Sequence, residues 1–259
     1  MLPLFFGSKQ RRLFGVYEPA TVRTADVRAA LLCGSWGLEY TNAHRTMRLL
    51  SKRLAAAGFD TLRFDYFGAG DSGGETTEAD LDGWKDDIQT ALRELKDMSG
   101  ATHVAVIGLR LGATLLAETV PRLSAEIQSA VLWDPILSGA DYLRALLCPI
   151  DNHYGKTSDS AAYAESKAGL ASELGGLLVS SAFVRGLADI DLSTYQAPAS
   201  MRMLAVFTET GLPDSAFSGF FDSGGEVARL QAPSPWKDAA ERDEGLPVEV
   251  CERILKWLG

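Results

Sequence analysis

The chain predicts an α/β fold: a mostly parallel sheet with helices on both faces. Three observations carry this. Short β-rich apolar runs alternate with amphipathic segments of helical period, the pattern left in sequence by crossover helices. One apolar run leads straight into a glycine-flanked turn and then an Ala/Leu-rich helix, at residues 103–120. The 259 residues, 46% of them hydrophobic, are enough to bury a large core in one domain, so residues 1–259 are expected to form a single unit.

Taken in order, residues 13–17 (LFGVY) read as a first strand and 29–33 (AALLC) as a buried one, followed at once by the turn of residues 34–37. Residues 44–57 space Met47, Leu50 and Leu54 at helical intervals, and Gly58 ends the segment as a helix C-cap does. Residues 61–64 predict the next strand, and 80–98 a helix carrying Leu81, Trp84, Ile88, Leu92 and Leu95 on one face. Residues 103–107 are the central strand, 130–133 and 203–207 two more, and 248–258 a closing helix. Some seventy residues separate the last two strands, more than the ~12–30 of a single crossover. The surplus predicts a helical cap at about 139–198, with helices near 141–147 and 161–174, over the strand ends where ligands bind in open α/β sheets.

Composition excludes several classes. The formal charge is −9, and no dense run of Lys or Arg exists, so nucleic acid is not an expected partner. Cys33, Cys148 and Cys251 are too scattered for a disulfide framework or a zinc site; no metal or cofactor is expected, and the setting reads as reducing and cytoplasmic. No run approaches the ~18 apolar residues of a membrane span. The first twelve residues place apolar before basic side chains, the reverse of a secretory signal, and read as part of the fold.

The segments 33–40 (CGSWGLEY), His44 with Arg45, 63–73 (RFDYFGAGDSG), 108–113 (GLRLGA) and 132–135 (LWDP) resemble, in order, the α/β-hydrolase superfamily, in particular its serine aminopeptidase-like and exosortase-associated branch. The resemblance implies the α/β-hydrolase fold. It also implies that the nucleophile of the G-x-S-x-G elbow is replaced here by Arg110, a side chain with no lone pair to attack a carbonyl. The superfamily's catalytic His lies near the C-terminus, yet the three histidines of this chain are His44, His103 and His153, and Trp236 stands about where the imidazole is expected. Glu209 or Asp214 stands where the acid of the triad is expected, with no His to orient.

What survives is the frame of the site. The backbone N–H of Leu111 and one from the Ser35–Trp36 turn match an oxyanion hole, and Arg110 beneath them is a fork for carboxylate or phosphate. An ion pair of Arg110 with Glu39 or Asp134 accounts for it equally well. Tyr40, Glu39, Trp36 and Trp236 are expected to bind substrate beside it. His44 and Asp134 are the candidate proton carriers, although a helix-opening His and a strand-end Asp are often structural. Asp71, Ser72, Cys33 and His103 read as structural.

These residues predict a protein without the Ser-His-Asp triad that acts non-hydrolytically, as an isomerase, cyclase or lyase, on a small-molecule or carrier-bound acyl or peptidyl biosynthetic intermediate. A non-catalytic accessory protein and an atypical ester or thioester hydrolase are the alternatives. A homodimer formed through an exposed edge strand is compatible with the sequence.

Overall fold

The computed structural model describes residues 1–23, 25–147, 172–208, 217–237 and 245–259. Eight strands form one sheet in the order β1-β2-β4-β3-β5-β6-β9-β10. β1 (Leu2–Gly7) and β2 (Arg12–Glu18) pair antiparallel, and β2 is antiparallel to β4 (Phe59–Phe64). From β4 onward, β3 (Arg28–Cys33), β5 (His103–Leu109), β6 (Ser129–Trp133), β9 (Arg202–Phe207) and β10 (Glu226–Arg229) run parallel.

The sheet is buried on both faces because its central strands are apolar at every position rather than at alternate ones. Leu31, Cys33, Val104 and Val106 belong to one core cluster, and their neighbours Leu32, Ala105 and Ile107 to the other. The first face is covered by α2 (Leu81–Ser99) and α3 (Leu111–Leu123), through Trp84, Ile88, Leu115 and Leu116. The second is covered by α1 (Gly37–Ala56) and α7 (Val248–Leu258), through Met47, Leu50, Leu54, Val250 and Ile254. α2 begins where the Asp80 carboxylate accepts the Gly83 N–H at 2.7 Å, a cap worth ~1 kcal/mol, and ends at left-handed Gly100.

Every strand expected from the sequence is present. Residues 2–7 add β1, tied down by Arg11, whose guanidinium donates to both oxygens of buried Asp87 on α2 at 2.6 and 3.0 Å. β10 is a further edge strand of four residues. α1 starts at Gly37, seven residues earlier than its apolar period predicts, because exposed Leu38 interrupts the pattern.

Between β6 and β9, the described residues form α4 (Gly139–Leu147), a hairpin of β7 (Ser172–Leu174) and β8 (Leu177–Val179), and α5 (Ser181–Ala188). The expected helix over 161–174 is corrected at its end: 172–174 are extended, turning at Gly175 and Gly176, both with positive φ. Its earlier part lies outside the described residues, as do Cys148, His153, Glu209 and Asp214. A short α6 (Ser218–Asp222) precedes β10.

Candidate functional site

Arg110 sits between β5 and α3 with φ 54° and ψ −121°, a conformation strained for any residue with a Cβ. The ladder holds it there. Its N–H donates to the Trp133 carbonyl at 3.0 Å, and its own carbonyl accepts from Ala113 and Thr114. The flanking glycines permit the turn: a Cβ on Gly112 would lie 2.5 Å from the Cys33 carbonyl oxygen, and one on Gly108 would lie 2.6 Å from the Ala113 nitrogen. Asp134 at the end of β6 is also left-handed, at φ 43°, with its N–H on the Val206 carbonyl.

The Arg110 side chain turns back onto the protein. Nε donates to Glu39 Oε1 at 3.0 Å and Nη1 to the Asp134 backbone carbonyl at 3.3 Å. The guanidinium lies 4.9 Å from the Trp236 ring centre and 5.9 Å from that of Tyr142 on α4, while the Tyr142 hydroxyl donates to the other Glu39 oxygen at 3.2 Å. The pair is mostly shielded, with 12% and 15% of the two side chains exposed. Trp236 is held in place by Asn42, whose side-chain amide donates to its carbonyl at 3.1 Å.

The structure thus brings Arg110, Glu39 and Trp236 together against one another. Of the two roles expected for Arg110, the ion pair with Glu39 is present. Asp134 is held at both its main chain and its side chain. It meets Arg110 through its main-chain oxygen, and its buried carboxylate accepts from the Thr208 N–H at 2.7 Å and the Thr208 hydroxyl at 2.9 Å, joining the ends of β6 and β9. His44 lies exposed in the second turn of α1, edge-on to Tyr40, rather than opening the helix. His103 begins β5, seven residues and roughly 23 Å of strand from the elbow. Leu111 is the first residue of α3 and is buried, its backbone at the helix N-terminus as expected. Cys33 is buried, and burial pushes its thiol far above the usual range, as inert packing requires.

The first turn of α1 faces two ways. Glu39 reaches the elbow; Leu38, Tyr40 and Thr41 line a cavity of about 510 Å³ on the other side, which Ser35 and Trp36 also border. The cavity is closed by residues 64–70 after β4 and by the β7–β8 hairpin. The Tyr40 hydroxyl donates to Asp65 Oδ1 at 2.8 Å, and the Asp71 N–H to Oδ2 at 2.9 Å. Burial raises the Asp65 pKa above the ordinary carboxylate value, against the opposing pull of those two hydrogen bonds. Asp65, within the 63–73 segment just after β4, and Tyr142 carry no signal in the sequence that sets them apart.

Sheet order, elbow and flanking helices define the α/β-hydrolase fold. The serine aminopeptidase (S33) family model matches residues 40–166. No curated protein sequence matches the chain. Among solved structures the chain is similar to Est1E of Butyrivibrio proteoclasticus in complex with ferulic acid, with TM-score 0.73 and 14% identity over 98% of this chain and 97% of that one. It is also similar to a Pyrococcus furiosus esterase, with TM-score 0.63 and 18% identity over 99% and 89% of the two chains. A third similar structure is mouse alpha/beta hydrolase domain-containing protein 10, with TM-score 0.58 and 13% identity over 100% and 97%. Among the described residues, no helix is long and apolar enough to cross a membrane.

Proposed function

We propose that this α/β-hydrolase-fold protein carries Arg110 in the nucleophile's place and binds an acyl or peptidyl biosynthetic intermediate without hydrolysing it through a covalent acyl-enzyme. The observation that carries the reading is the Arg110–Glu39 pair. The elbow retains its strained geometry, but the side chain at its apex is a cation held by a carboxylate and two aromatic rings. A guanidinium supplies neither a nucleophile nor a proton-accepting base at neutral pH. His44 and Asp134, the proton carriers suggested by the sequence, are turned to Tyr40 and Thr208. The accessory role is therefore favoured over isomerase, cyclase or lyase chemistry at the elbow.

The ligand is a small molecule or a carrier-bound acyl group, and the cavity beside Tyr40 falls within the ~300–1,000 Å³ common for small-molecule sites. Est1E with its ferulic acid is an instance of the fold holding an aromatic acyl compound.

Fluorophosphonate labelling tests the reading. The native chain is expected to remain unlabelled and to turn over p-nitrophenyl butyrate no faster than its Arg110→Ala variant. Stoichiometric labelling of a serine in the native chain would sink it.

A further inference from the structure

We infer that the seam between α1 and β4 holds a second binding site, in which the Arg63 guanidinium receives the carboxylate of a small monoanion with an apolar body. The site is separate from the elbow and goes beyond the binding role proposed above.

The seam is joined at both ends and open in the middle. Tyr40, His44, Met47 and Ser51 recur at helical intervals along one face of α1. Opposite them, Asp65, Arg63 and Thr61 alternate onto one side of β4 and its continuation. The Tyr40 hydroxyl donates to Asp65 at 2.8 Å, and the Ser51 and Thr61 hydroxyls meet at 2.7 Å. Arg63, midway between those contacts, borders a pocket of about 80 Å³ instead. Its register partners Val16 on β2 and Leu32 on β3 line the pocket with it, as do Phe14 and Met47.

The guanidinium is short of a counter-charge. Arg63 is partly exposed, yet among the described residues it makes no hydrogen bond and no ion pair. Of its three nitrogens only Nε is sealed from water, so the two Nη atoms are the accessible end of the fork. Burial lowers the Arg63 pKa from the ordinary guanidinium value and Arg48, one turn beyond His44, acts in the same direction, while Asp65 and Glu18 pull the other way from beyond ion-pair distance. An arginine stays charged in proteins all the same, and a shielded cation calls for an anion.

Two features select that anion. Asp65 and Asp71 also line the pocket; the Asp65 oxygens are occupied by Tyr40 and by the Asp71 N–H, and the Asp71 side chain is exposed. Their charges leave room for one negative charge held on the guanidinium and repel a second, which favours a monoanionic carboxylate over a phosphate dianion. The planar fork matches a carboxylate edge, and Phe14, Val16, Leu32 and Met47 suit an alkyl body.

Isothermal titration of butyrate, butyramide and inorganic phosphate at pH 7.5, in a buffer free of carboxylates, tests the site. Butyrate is expected to bind saturably at one site per chain, and butyramide and phosphate at least tenfold more weakly. Arg63→Met, its folding verified by thermal melting, should weaken butyrate at least tenfold. Should that variant fail to fold, Arg63→Lys, which keeps the charge and loses the planar fork, takes its place with a severalfold loss expected. His44 is exposed and borders the pocket, so His44→Trp should obstruct the entrance and weaken butyrate as well. Butyramide binding as tightly as butyrate overturns the charge recognition, and phosphate binding as tightly overturns the apolar monoanion. Butyrate affinity unchanged in the Arg63 variant or in His44→Trp overturns the location, and absence of saturable butyrate binding overturns the site. None of these outcomes bears on Arg110, which fluorophosphonate labelling tests separately.

Discussion

Arg110 and Glu39 show what a cation at a strained elbow requires of its surroundings. A guanidinium shielded from water needs a counter-charge, and Glu39, one residue from the cavity-lining Tyr40, supplies it at 3.0 Å. Removing one partner of a shielded pair costs more than removing both, because the survivor is left uncompensated. Glu39→Gln is therefore expected to lower unfolding free energy by about 3 kcal/mol in urea titration, and Glu39→Gln combined with Arg110→Met to recover most of it. Equal losses in the single and double variants would show that the pair is not coupled. Asp65 gives a second prediction at this scale. A carboxyl whose pKa is raised on folding holds its proton more tightly in the native state. Its contribution is thus most favourable below the ordinary aspartate pKa of about 3.9 and declines as pH rises through the raised native value. Against Asp65→Asn, the wild-type melting temperature should fall relative to the variant as pH is raised from 4 to neutrality. A constant difference would contradict the raised pKa.

At the scale of elements, the N-terminal hairpin depends on one buried contact. The Asp87 carboxylate is almost wholly buried in α2 and accepts from Arg11 and from the Phe67 N–H, so it joins β1–β2, the loop after β4 and α2 at one point. Arg11→Met should destabilise the protein by about 3 kcal/mol, the lower end for a broken buried pair because Arg11 itself is partly open to water. Proteolysis of the hairpin before global unfolding would be the local sign of it. The sequence made the central elements legible because their apolar runs are buried on both faces and end at glycine turns. It hid β1 and β10 because edge strands bury little and have no clear alternation: in β1 only Phe6 is buried, and β10 has four residues. The expected helix runs into β7 because a three-residue strand is shorter than any period can reveal, and β8, equally short, carries no signal of its own. For the site, the cation at 110 was plain from residue type, whereas the direction of its side chain was not. Glu39 and Asp134 were equal partners on paper. The choice between them was made by the two left-handed turns, which present Asp134 to Arg110 through its main chain and to Thr208 through its carboxylate.

At the scale of the whole molecule, the first turn of α1 lies between the Arg110–Glu39 pair at the elbow and the cavity beside Tyr40. A ligand that binds only the folded chain stabilises it by mass action, about 2.7 kcal/mol at a hundredfold excess over Kd. A small acyl ligand seated in the cavity beside Tyr40 should raise the melting temperature of the wild type and leave that of Leu177→Trp, which fills the cavity, unmoved; a similar rise in both would place the ligand elsewhere.

The Glu39 carboxylate also bears on which side chains position 110 accepts. A serine introduced there would place a hydroxyl at the strained apex, but Glu39 and its Tyr142 contact would remain, a shielded negative charge without its cation. Trp236, pinned by Asn42, would still occupy the space above. Positions 39 and 110 are therefore expected to change together: a neutral side chain at one calls for a neutral side chain at the other.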